Sequence, residues 1–147
     1  MSKLPLVLII DDTPENIMVL GATLSRVCRV RFATSGPEGL EVIRKEQPDL
    51  VLLDVMMPDM NGYEVFAVIK SEALTEAMPV IFVTAHADAG SESEALLAGA
   101  ADFIHKPINP DVVRSRVITQ LQLAHNRKHL EDLVVERTQD LAIARRE

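Results

Sequence analysis

The sequence has no tryptophan, one tyrosine and four phenylalanines in 147 residues. Its core must therefore be built from Val, Ile, Leu, Met and Ala. The single cysteine, Cys28, rules out an internal disulfide and fits a reducing, cytoplasmic compartment. No apolar run approaches the roughly 20 residues of a membrane span. The opening MSKLPLVLII is broken by Pro5 and runs at once into Asp11 and Asp12, unlike a signal peptide. Basic charge is also scarce. Residues 1–110 hold eight Lys and Arg against sixteen Asp and Glu, residues 111–147 hold seven against six, and the net charge is −7. An acidic body lacks the clustered cations that phosphate backbones require, so no direct nucleic-acid partner is expected.

What is present is an apolar fraction of 48%, enough for one globular domain with its own core. Short apolar runs recur at 6–10, 30–33, 50–53, 80–83 and 102–105. The first, third and fourth are nearly continuous rather than alternating, which marks strands covered on both faces. Helix signals fall between them. Thr13-Pro14 offers a cap and a first-turn proline, and Gly36-Pro37 opens a segment with Leu40 and Ile43 toward the core. Asn61 caps a helix to about residue 71, Ser91 with Glu94 reads as a capping box, and Asn109-Pro110 opens a fifth helix. Strand and helix thus alternate five times. The pattern predicts an α/β, doubly wound, flavodoxin-like parallel sheet of five strands in the order 2-1-3-4-5.

In that order, ligands sit beyond the carboxyl ends of the first and third strands. Those ends carry Asp11-Asp12 and Asp54. Three carboxylates about 5 Å apart repel by roughly 3 kcal/mol per pair at an effective dielectric near 20. Either they take up protons or a hard cation binds, and Mg²⁺ suits an all-oxygen site that keeps water and welcomes phosphate oxygens. Thr84 and Lys106 end the fourth and fifth strands at the same edge. A carboxylate, a metal, an ammonium and a hydroxyl together suggest phosphoryl chemistry.

The acidic pair Asp11-Asp12, the DVMMPDMNG block around Asp54, VTA with Thr84, and GAADFIHKP with Lys106-Pro107 resemble the receiver domain of two-component response regulators. The resemblance spans residues 5 to about 124. It implies a phosphorylation-controlled switch that catalyses only its own phosphorylation and dephosphorylation. By the same resemblance, Asp54 takes a phosphoryl group from a sensor histidine kinase or phosphotransfer protein. Asp12 binds Mg²⁺ directly, Asp11 assists through water, and the Met56 backbone carbonyl completes the protein ligands. Lys106 neutralises phosphoryl charge, Thr84 swings toward a phosphoryl oxygen, and the Lys106-Pro107 peptide is cis. Phe103 holds the aromatic switch position, without the hydroxyl of the tyrosine common there. His86, two residues after Thr84, is a position that tunes hydrolysis in this family, although an exposed loop histidine is the simpler reading.

Other signals are weaker. Cys28 reads as a small buried strand residue, and Met56 and Met57 as packing. His105 is expected on the other face of its strand. His125 and His129 are four apart but lack a third ligand, so they read as a solvated helix face. From Asp111 to Glu147 there is no Gly or Pro. Leu130, Leu133, Val134 and Leu141 form a partial stripe, and LEDLVVERTQDL resembles helices that join receivers to output domains, cyclic-dinucleotide enzymes among them. The expectation is a receiver over 1–124, a helical extension over 125–147, and a homodimer through that helix. A phosphatase with an aspartate nucleophile would need a D-x-D at the first strand, which is absent. The acidic DDTPEN loop is unlike the phosphate cradle of a flavin carrier.

Overall fold

The computed structural model describes residues 4–146 apart from 73, 74, 76 and 86–88, with side chains described through residue 130 except at 89–91, 128 and 129. The continuous apolar runs become the inner strands. β1 (Leu6–Ile10), β3 (Leu50–Asp54) and β4 (Val80–Thr84) are buried at every position. β2 (Arg29–Ala33) forms one edge and is exposed over most of its length, and β5 (Asp102–His105) forms the other. All neighbours pair in parallel, in the expected order β2-β1-β3-β4-β5.

Alternate strand residues feed two cores. On one face, Val7, Ile9, Leu50 and Leu52 meet Ile17, Leu20 and Leu24 of α1 (Pro14–Leu24) and Val113 and Val117 of α5 (Pro110–Arg146). On the other, Leu8, Ile10, Val51 and Phe82 meet α2 (Gly36–Glu46), α3 (Gly62–Ser71) and α4 (Ala89–Leu97). Covering both faces is what allows strands with no polar side.

The helix starts largely follow the local chemistry. Ser35 accepts the Glu38 amide, and Asn61 and Glu64 form a reciprocal capping box. The Asn109 Oδ1 accepts the amides of Asp111 and Val112 at 3.0 and 3.3 Å. Thr13 is the N-cap residue and Pro14 opens α1 as expected, but the Thr13 side chain makes no cap bond: its hydroxyl turns to Asp12, and its amide donates to Asp11 Oδ1 at 2.9 Å. One expectation fails. Ser91 does not open α4, which already begins at Ala89. Cys28 is buried as expected, but it lies in the bend just before β2, not in the strand. The last helix runs 37 residues without interruption, a rod of about 55 Å. Among the described residues, no helix is long and apolar enough to cross a membrane.

Phe82 is fully buried, and its ring lies 5.1 to 5.2 Å from those of Tyr63, Phe66 and Phe103. Phe82→Ala should lower the unfolding free energy by about 3–5 kcal/mol in urea titration. Leu97→Ser, at a residue 89% exposed, should stay within about 0.5 kcal/mol of the parent. Equal losses in the two variants would contradict this account of the core.

Candidate functional site

Pairing between β1 and β3 sets Ile10 beside Leu53. One residue further along each strand, Asp11 and Asp54 stand side by side, with Asp12 next. One carboxylate oxygen from each of the three lies within 4.8 Å of the other two. Asp11 and Asp54 are buried, at 1% and 3% exposure, while Asp12 is exposed. Lys106 reaches in from the end of β5, its Nζ 3.5 Å from Asp54 Oδ1 and 3.7 Å from Asp11 Oδ2. Three carboxylates against one ammonium leave two negative charges over, the charge of one divalent cation.

The buried Asp11 Oδ2 has no hydrogen-bond donor among the described residues. An unsatisfied buried carboxylate oxygen is costly, and a hard cation relieves it. The all-oxygen donor set and the net charge therefore both fit Mg²⁺. Burial first, and then the Asp11 charge, push the Asp54 carboxyl up to about 6, against the pull of Lys106 and the Met56 amide. That amide donates to Asp54 Oδ1 at 3.2 Å.

The turn that presents Asp54 depends on Gly62. A Cβ there would stand 2.4 Å from the Asp54 carbonyl oxygen, which is backbone and cannot yield. The Gly62 amide donates to Val55 O at 3.0 Å and closes the turn. Thr84 is buried at the end of β4, with His105 as its register partner. The Lys106 amide donates to Thr84 O at 2.8 Å, so the strand tips stay paired up to the lysine. The Lys106-Pro107 peptide is cis. Phe103 is buried against Phe82.

The structure thus gathers Asp11, Asp12, Asp54 and Lys106, with Thr84 and Met56 on the flanking tips. His86 lies outside the described residues. Met57 packs in the core as expected, but Met56 is 58% exposed and does not. His105 is exposed and pairs with Glu92 of α4. His125 is exposed, as a solvated helix face requires, and the side chain of His129 lies outside the described residues.

The family model described as "Response regulator receiver domain" matches residues 7–118. The chain belongs to the response regulator receiver family. It is 38% identical over 142 residues to a Vibrio cholerae protein named "Probable cyclic di-GMP phosphodiesterase", covering 92% of this chain and 32% of that one. It is 37% identical over 112 residues to Response regulator PleD of Caulobacter vibrioides, covering 76% of this chain and 25% of PleD. A CheY-like response regulator receiver domain protein from Methanospirillum hungatei superposes with a TM-score of 0.79 at 29% identity, over 85% of this chain and 99% of that one. The chain thus spans a third or less of those two longer relatives and nearly all of the solved receiver. This receiver is a phosphorylation-controlled switch of two-component signalling. Receivers of this family bind Mg²⁺ at an acidic pocket and accept phosphate from histidine kinases.

The raised Asp54 value sets a pH dependence. Its ordinary value is 3.8, so between 3.8 and about 6 the ion-free folded state holds a proton that the unfolded chain has released. Stability from this group is present below that window and is lost as pH rises through it, by about 3 kcal/mol in all. In chelator-treated buffer, Asp54→Asn should raise Tm by about 5–10 °C at pH 7.5 and by about a third as much at pH 4.5. Equal Tm differences at both pH values would disprove the assignment.

Proposed function

We propose that Asp54 is the phosphoacceptor, that Asp11, Asp12, Asp54 and the Met56 carbonyl hold Mg²⁺, and that Lys106 and Thr84 take the charge and an oxygen of the phosphoryl group. The observation that carries this reading is the buried Asp11 Oδ2, without a hydrogen-bond donor among the described residues, beside Asp54 and Lys106. Bound there, Mg²⁺ would take oxygen ligands from these residues and would supply charge neutralisation for phosphoryl transfer.

The residues do the rest. Burial keeps the Asp54 carboxylate poorly solvated at the end of β3. Its oxygen bonds to phosphorus as the phosphorus–nitrogen bond of a donor phosphohistidine breaks, and the imidazole leaves with the electron pair. Lys106 already contacts Asp54 Oδ1 and follows the added charge as the acyl phosphate forms. Thr84 supports the reading by its place on the adjacent tip. Phe103, buried on Phe82, serves as the aromatic that repacks when Thr84 moves.

The chain acts on no substrate but its own phosphoryl group, in the cytoplasm, with a sensor histidine kinase or phosphotransfer protein as donor. Its receiver runs to residue 124. Beyond that, the α5 extension pairs with a second copy and leads to an output, for which the named V. cholerae relative supports a cyclic-dinucleotide enzyme.

Incubation with Mg²⁺ and acetyl phosphate should add about 80 Da, one phosphoryl group. The adduct should vanish in Asp54→Ala and with chelator. An adduct that survives either treatment rules out Asp54 or the metal. Sedimentation should show a monomer–dimer equilibrium that a phosphate mimic shifts. A monomer at high concentration in both states excludes the helix pairing.

A further inference from the structure

Asp102 and Arg116 stand outside the acidic pocket, yet they grip the strand that carries Lys106. The Asp102 Oδ1 accepts the Phe103 amide at 2.8 Å and the Arg116 Nη1 at 3.2 Å. The same Arg116 nitrogen donates to the Phe103 carbonyl. The ion pair and the two backbone groups of Phe103 therefore close a ring of hydrogen bonds. One turn further along α5, Gln120 Nε2 donates to the Ala101 carbonyl at 3.3 Å. Val113 and Val117 pack α5 onto the sheet, but apolar packing is non-directional. The register of α5 along β5 is held by these directional bonds. The ion-paired side chains are 41% and 35% exposed, where a salt bridge adds little to stability. What the ring adds is position. Phe103 lies three residues before Lys106, and its ring packs on Phe82.

We propose that Arg116 is a positioning residue of the phosphorylation switch: its ring with Asp102 and Phe103 makes the tip of β5, and so Lys106, move with α5. The inference rests on the roles proposed above for Asp54 and Lys106. The linkage is reciprocal. A phosphoryl group on Asp54 shifts α5, and whatever holds the α5 extension alters how readily Asp54 is phosphorylated.

Amide hydrogen exchange on the full chain tests both halves. Without phosphodonor, R116A should exchange about tenfold faster over residues 102–106, the factor that one lost hydrogen bond carries, while β1 and β3 stay unchanged. Unchanged exchange over 102–106 overturns the proposal. With acetyl phosphate and Mg²⁺, R116A should still accept one phosphoryl group, with its Tm within about 2 °C of the parent, as a half-exposed pair allows. The phosphorylation-dependent change over residues 110–124 should fall about fivefold. A change of parental size in R116A, or in D102A as the second variant, also overturns it. A parent chain that accepts no phosphoryl group defeats the proposed function instead, and the comparison without phosphodonor still decides whether the ring holds β5.

Discussion

The rest of the site depends on the crowding of three carboxylates at the one place where the strand order reverses. β1 and β3 are neighbours, so the residues just past Ile10 and Leu53 meet whether or not their charges agree. At 4.8 Å or less, each pair repels by roughly 3 kcal/mol under an effective dielectric near 20. The cores on the two faces of the sheet overrule that repulsion, since neither strand can retreat without exposing buried Leu, Ile and Val. Stability from apolar burial is thus held as electrostatic tension at the sheet mouth. That tension is the basis of the chemistry. Together with burial it raises the Asp54 carboxyl, and it sets Asp11 Oδ2, which has no hydrogen-bond donor among the described residues, where a small divalent cation fits.

The frame of this arrangement was legible because its signals are local. Continuous apolar runs read as doubly covered strands, and a reader of the sequence could place Asp11, Asp12, Asp54, Thr84 and Lys106 at strand ends by counting. The Asn61–Glu64 box is readable for the same reason, since its partners lie three residues apart. The failures came where two local signals compete. Thr13 is a good cap by type, but Asp11 takes the Thr13 amide and Asp12 its hydroxyl, so the acidic pair organises the first loop itself. Ser91 and Glu94 have the spacing of a box, yet α4 begins two residues earlier. Met56 looks like packing beside Met57, but only Met57 is buried, while Met56 is exposed in the loop after β3.

Nonlocal polar contacts left no mark in the sequence. Asp102 falls within the GAADFIHKP block, but Arg116 is fourteen residues further on and outside it, and the partner they share is a peptide group that every residue possesses. Side chain-to-backbone bonds of this kind depend on how a helix sits over a strand. They become visible only once both elements are in place.

Their position also bears on how a small event at one sheet edge acts over a long distance. With Asp54 as the proposed phosphoacceptor, a phosphoryl group adds charge there, and Lys106 is the described cation that touches that carboxylate. A shift of Lys106 is a shift of the β5 tip, because its amide is bonded to Thr84 O. β5 is an edge strand laddered to β4, and the bonds from Arg116 and Gln120 add a directional tie to α5, so that by the proposed linkage a displacement of β5 becomes a displacement of α5. Since α5 continues as one helix to Arg146, a small tilt at its first turns is multiplied along a rod of about 55 Å. The length of the helix and the polar ring at its root then form a single lever.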